Sequence, residues 1–153
     1  TIQTLSDRDV ISRERKISDI TGSKSLNYKL IELIGNYKPN LIVLGHADQV
    51  SNETLAKIKD FYPSIKMCQW FLDKMDDKNW LINKDRFLKK IKYLDGSFCT
   101  THPSNIKSFE GKNIRFIPNP VDPAFENLNI HKNNLFKYDL FFALSHGVHR
   151  GFS

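Results

Sequence analysis

Apolar residues along the chain come in short separate runs, and the spacing between runs changes character as the sequence proceeds. Leu41-Ile42-Val43-Leu44 is a continuous branched run, which predicts a strand covered on both faces. Ahead of it, Leu26, Leu30, Leu33 and Ile34 recur at helical spacing, with Ser25 as the expected cap, Gly35 near the end and Lys38-Pro39-Asn40 as the breaker. Ser51 is placed to cap a helix carrying Leu55, Ile58 and Tyr62 on one face, closed by Pro63. Ile65–Phe71 reads as the second strand, beginning 24 residues after Leu41, the length of a right-handed βαβ crossover. A basic amphipathic helix over Lys84–Lys92 follows, with Phe87, Ile91 and Leu94 on its apolar side. Gly96–Thr101 reads as a third strand, and Pro103 as the start of a short helix bearing Ile106 and Phe109. Ile114–Ile117 is a fourth strand and Tyr138–Leu144 a fifth, while Thr1–Ser23 reads as a strand remnant and a helix.

Strands alternating with helices predict an α/β fold with a doubly wound parallel sheet, Rossmann-like or flavodoxin-like, with helices on both faces. The 153 residues, 40% of them hydrophobic, suffice for one core. Apolar runs of about five residues fall far short of the ~20 that cross a bilayer as a helix. Cys68 and Cys99 both fall in strand-like runs and are expected to be reduced thiols, so a cytoplasmic location is expected. The net charge of +6 favours anionic partners, including a peripheral position at a membrane surface. The aromatic residues sit in the strand runs rather than among surface arginines, so no nucleic-acid partner is expected.

Ligands of open parallel sheets bind beyond the carboxyl ends of the strands. The segments there are Gly45-His46-Ala47-Asp48, Phe71-Leu72-Asp73, Thr100-Thr101-His102-Pro103-Ser104, Pro118-Asn119-Pro120-Val121-Asp122 and Ser145-His146-Gly147-Val148-His149-Arg150-Gly151. His46 suits a general base, a hydroxyl contact or plain loop filling. Asp73, beside Trp70, suits sugar hydroxyls over an indole platform, or a helix cap. His102 suits ligand contact or a cap ahead of Pro103. In the last segment, Gly147 and Gly151 would let backbone amides approach an anion and Arg150 would bond it twice. The five histidines show no i, i+4 pair and the cysteines no CxxC spacing, so no metal is expected. Walker, GxGxxG and GxSxG patterns are absent, which removes the signatures of P-loop kinases, dinucleotide enzymes and α/β-hydrolases.

Taken in order, NYKPNLIVLGHAD, MCQWFLD, FCTTHPS, FIPNPVDPAFE and YDLFFALSHGVHRG resemble the CgeB-like (spore maturation) group of GT-B glycosyltransferases over residues 36–151. The resemblance implies that residues 1–126 are a Rossmann-like acceptor-side domain lacking its first strand, with Thr1–Leu5 as the second. It makes 127–137 a linker, and 138–153 the first strand and loop of a nucleotide-sugar domain. Pro118, Asn119, Pro120 and Asp122 would form the exit to the hinge, where proline ends strand pairing. His46, Asp73 and His102 would be the catalytic candidates; His146, Gly147, His149 and Arg150 would meet the donor phosphates. The implied substrates are a nucleotide sugar and an acceptor that is a saccharide, a protein or lipid-linked, with no bound cofactor or metal. Thr1 and Ser153 are then expected to be cuts within a longer protein, leaving this piece inactive alone. Its Tyr138–Leu144 run would be a candidate for self-association. The competing expectation is a non-enzymatic flavodoxin-like module that binds a partner or small anion; a receiver would need an acidic cluster after its first strand and a lysine after its last, and neither is present.

Overall fold

A computed structural model describes residues 2–15 and 19–119. Four strands, β1 (Leu41–Gly45), β2 (Lys66–Phe71), β3 (Gly96–Cys99) and β4 (Ile114–Phe116), form one all-parallel sheet in the order β1-β2-β3-β4. The α/β fold class is the expected one, and the unreversed strand order is one wing of a Rossmann-like, doubly wound arrangement. The helices are α1 (Asp7–Glu14), α2 (Ser23–Tyr37), α3 (Asn52–Phe61) and α4 (Leu81–Leu88), joined by single 3₁₀ turns at Ile91–Tyr93, Pro103–Asn105 and Lys107–Phe109.

Pairing places Ile42 beside Met67, Leu44 beside Gln69, and Gln69 beside Ser97 on one face. There Leu30 and Ile34 of α2 and Leu55 and Ile58 of α3 close a core with Leu44 and Met67. Phe87 of α4 closes a second one with Phe71, Cys99 and Phe109. Gln69 is the buried polar member; its Nε2 donates to the Phe87 carbonyl (3.1 Å) and to Ser97 Oγ (3.0 Å), so its burial carries no unpaired donor there. The opposite face carries Leu41, Val43, Cys68, Trp70, Phe98 and Arg115.

Several local expectations are corrected. Leu41 and Val43 are 54% and 56% exposed, so β1 is not covered on both faces; among the described residues it is an edge strand, and the described helices pack on the other side. Residues 2–5 form no strand. Helix α2 begins two residues earlier than Ser25, after Gly22, and the buried carboxylate of Asp19 accepts the Ser25 N–H (2.9 Å) in place of a serine cap. The basic helix ends at Leu88, leaving Ile91 in a 3₁₀ turn and Leu94 just beyond it. The helix expected after Pro103 is a pair of 3₁₀ turns, and β3 stops at Cys99, two residues before Thr101. Both cysteines are free thiols, Cys99 buried and Cys68 partly so. Among the described residues no helix is long and apolar enough to cross a membrane.

Candidate functional site at the carboxyl rim

Because all four strands run the same way in continuous register, the segments that follow them emerge along one rim. Gly45 ends β1 and hands the chain to His46, which lies in the left-handed region (φ 48°), a conformation that histidine adopts more readily than most non-glycine residues. This turn brings the imidazole back over Phe71 at the end of β2, with ring centroids 4.8 Å apart and stacked. The Leu72 N–H donates to His46 Nε2 at 3.4 Å, a long bond, which assigns the ring proton to Nδ1. Nδ1 in turn lies 3.8 Å from Asp73 Oδ2. Two expected residues are therefore brought together, at a separation just beyond hydrogen-bond reach.

Asp73 does not cap the next helix, which has no side-chain cap. Asp76 instead closes the turn ahead of it, accepting N–H bonds from Lys78, Asn79 and Trp80 at 2.6 to 2.9 Å, and these, that from Trp80 foremost, hold its carboxyl below the usual range. His102 sits on the rim after β3, but its contacts are those of a cap. Nδ1 accepts the Ser104 N–H (3.3 Å) and bonds Ser104 Oγ (2.8 Å), while the ring packs 5.5 Å from Phe116. Pro118 and Asn119 lie on the rim just past β4, where the Ile117 N–H makes the last sheet bond, to the Cys99 carbonyl (3.0 Å). Pro120, Asp122, His146, Gly147, His149 and Arg150 lie outside the described residues, as do the expected fifth strand and the linker.

Arg86 of α4 belongs to the site although its sequence context reads as a solvated basic face. Its Nε donates to Asp48 Oδ1 (3.1 Å), a second nitrogen pairs with Asp48 Oδ2, and the guanidinium stands 5.9 Å from the centre of the Phe71 ring. Thr100 and Thr101 lace the rim. Thr100 Oγ1 donates to the Leu72 carbonyl (2.9 Å), and Thr101 Oγ1 accepts the Met75 N–H (3.2 Å). Lys90 reaches inward to the Val50 carbonyl (2.5 Å), and burial lowers the pKa of its ammonium. Burial pushes the Cys99 thiol up to about 11, so it is no nucleophile at neutral pH. A small hollow beneath the rim is lined by His46, Asp48, Phe71, Arg86 and Lys90 among others. Among the described residues no group of three or more histidine, cysteine, aspartate or glutamate side chains converges as metal ligands do.

The rim thus offers an imidazole near a carboxylate, an arginine paired with Asp48 and an aromatic floor. Compared with protein-family models, with curated proteins and with solved structures, the chain matches none.

Proposed function

We propose that the rim is the acceptor side of a GT-B glycosyltransferase of the CgeB-like kind, which moves a sugar from a nucleotide-sugar donor to an acceptor hydroxyl. The observation that carries the reading is the His46–Asp73 pair, held over Phe71 on the rim. In this reading an acceptor hydroxyl replaces the Leu72 N–H at His46 Nε2, and the imidazole takes its proton as the sugar transfers. Asp73 keeps the tautomer and steadies the imidazolium. His102 lines the acceptor groove as an orienting contact, its Nδ1 bonded to Ser104. The donor's diphosphate would be met from the facing domain, with residues 146–150 as its first contacts.

The protein expressed from its complete reading frame tests this. Titration with uridine and guanosine diphosphates and their sugar conjugates is expected to raise stability by about 2.7 kcal/mol at a hundredfold excess over the dissociation constant. His46→Asn and Asp73→Asn are expected to lower kcat by about 10²–10⁴-fold with little change in the melting temperature. No response across the nucleotide panel would overturn the reading.

One observation favours the non-enzymatic, flavodoxin-like module instead: several rim polar groups are already satisfied by one another, Arg86 by Asp48 and His102 by Ser104. A protein that binds a small anion or a partner at the rim, and turns over no nucleotide sugar, would support that alternative.

A further inference from the structure

Beneath the rim, Lys90 is a cation without a counter-charge. Its ammonium carries three donors, and among the described residues its one hydrogen bond goes to the Val50 carbonyl (2.5 Å). Among the described residues no carboxylate pairs with it, and burial lowers its pKa. A charge drawn out of water is costly unless an opposite charge meets it. The carboxylate close by, Asp48, is committed to Arg86, four residues before Lys90. All three side chains line the same small hollow, whose volume of about 10 Å³ is that of roughly one water. Of the charged side chains there, two are cations and one is a carboxylate, so a positive charge is left over.

We propose that this hollow is a phosphate site, in which the anion takes the place of Asp48 on the Arg86 guanidinium and also reaches the Lys90 ammonium. Asp48 is able to yield. Its side chain is 33% exposed and that of Arg86 34%, and an ion pair so open to water costs little to break. As the carboxylate swings outward it vacates room beside the hollow for a larger group. A carboxylate brings one charge and two oxygens, enough for one guanidinium. A phosphate monoester brings a charge of about −1.5 to −2 and three free oxygens, so two can bond Arg86 side by side while the third meets Lys90. Both cations are partly buried rather than set on an open face, which suits a small phosphate. The inference goes beyond sugar transfer at His46, since a phosphate binds here whether or not a sugar moves, and the titrants below are not nucleotides.

Calorimetric titration of the full chain with inorganic phosphate, at an ionic strength held constant with chloride, is expected to show saturable one-to-one binding. Asp48→Asn keeps the side chain's shape and removes the competing charge, so it is expected to tighten phosphate binding about tenfold. Lys90→Met, which keeps the apolar stem, and Arg86→Gln are each expected to weaken it about tenfold or more, with a cooperative melt showing that the variants fold. Should a cationic variant fold badly, Asp48→Asn decides: unchanged or weaker binding there overturns the proposal, because the carboxylate would not be holding the anion's place. Absence of saturable binding in both wild type and Asp48→Asn overturns it too, as does binding that Lys90→Met leaves unchanged. Glucose 6-phosphate separates the sources of the anion. Tighter binding than inorganic phosphate assigns the site to a phosphoryl group carried on a small molecule, equal or weaker binding to the free anion, and either result supports the site.

Discussion

At position 46 the backbone asks for a residue that tolerates the left-handed region, and the rim asks for a side chain that accepts a hydrogen bond from Leu72. Histidine meets both, and two substitutions separate them. His46→Asn keeps the backbone tolerance and an acceptor, so its stability is expected to stay within about 0.5 kcal/mol of wild type. His46→Val puts a β-branched side chain at φ 48° and is expected to cost about 1–2 kcal/mol in denaturant unfolding. If the proposed chemistry holds, Asn is stable and inactive, whereas a purely structural histidine would leave any rim activity intact in Asn. His46 and Asp73 were legible because each directly follows an apolar run, where topology alone gathers residues. Arg86 was not. Its partner Asp48 is 38 residues away, and an arginine on an amphipathic helix gives no sign that it turns inward over Phe71.

At the scale of the element, α2 shows what backbone conformation contributes at helix ends. Its C-cap is Lys38, left-handed at φ 50°, with the cap N–H bonded to the Ile34 carbonyl (2.8 Å). Glycine adopts that conformation without a Cβ penalty, so Lys38→Gly is expected to stabilise the protein by about 0.5–1 kcal/mol in chemical denaturation. The N-terminal end behaves oppositely. Gly22 sits at φ 68°, and a Cβ there would lie 2.7 Å from the Ile11 carbonyl oxygen. Gly22→Ala therefore adds a clash between α1 and α2 to the left-handed penalty, and is expected to cost more than the roughly 1–2 kcal/mol of that penalty alone. The strands were readable because unbroken branched runs have few other uses in a soluble chain, and Ser51 was readable as a cap because it sits immediately before its helix. Its Oγ accepts the Thr54 N–H at 3.1 Å. The start of α2 was not readable, since the carboxylate that holds it, Asp19, lies six residues before the N–H it accepts. The exposure of Leu41 and Val43 was equally hidden, because a run of branched residues does not say whether its strand is central or at an edge.

For the whole molecule, the most strongly shifted carboxylate sits at the opposite pole from the rim. Asp95, just before β3, accepts bonds from Lys59 of α3 (2.7 Å) and the Met67 N–H of β2 (2.9 Å), while Asn113 beside β4 bonds its carbonyl (3.0 Å). The Lys59 bond, then the Met67 N–H, bring its pKa from 3.8 to about 2. A carboxyl lowered by folding adds stability above its unfolded pKa and loses it as the pH falls toward the folded one, so the acid limb attributable to Asp95 runs from about pH 4 down to 2. Asp19, Asp76 and Asp77 are lowered too and act in the same direction. At the alkaline end burial raises Cys99 from 9.0 to about 11, so the unfolded thiol ionises first and stability falls between those values. Lys90, lowered by burial, opposes this fall: its buried charge is relieved as the pH climbs toward 10.5. Denaturant midpoints across pH decide between the two. Cys99→Ala is expected to lessen the alkaline fall, part of which remains because burial raises the Cys68 thiol as well, while Asp95→Asn flattens the limb between pH 4 and 2. Because Asp95 lies at the far pole, its substitution is expected to leave any rim binding measured at neutral pH unchanged; a loss of binding in Asp95→Asn would mean that the two ends of the sheet are coupled through β2 and β3.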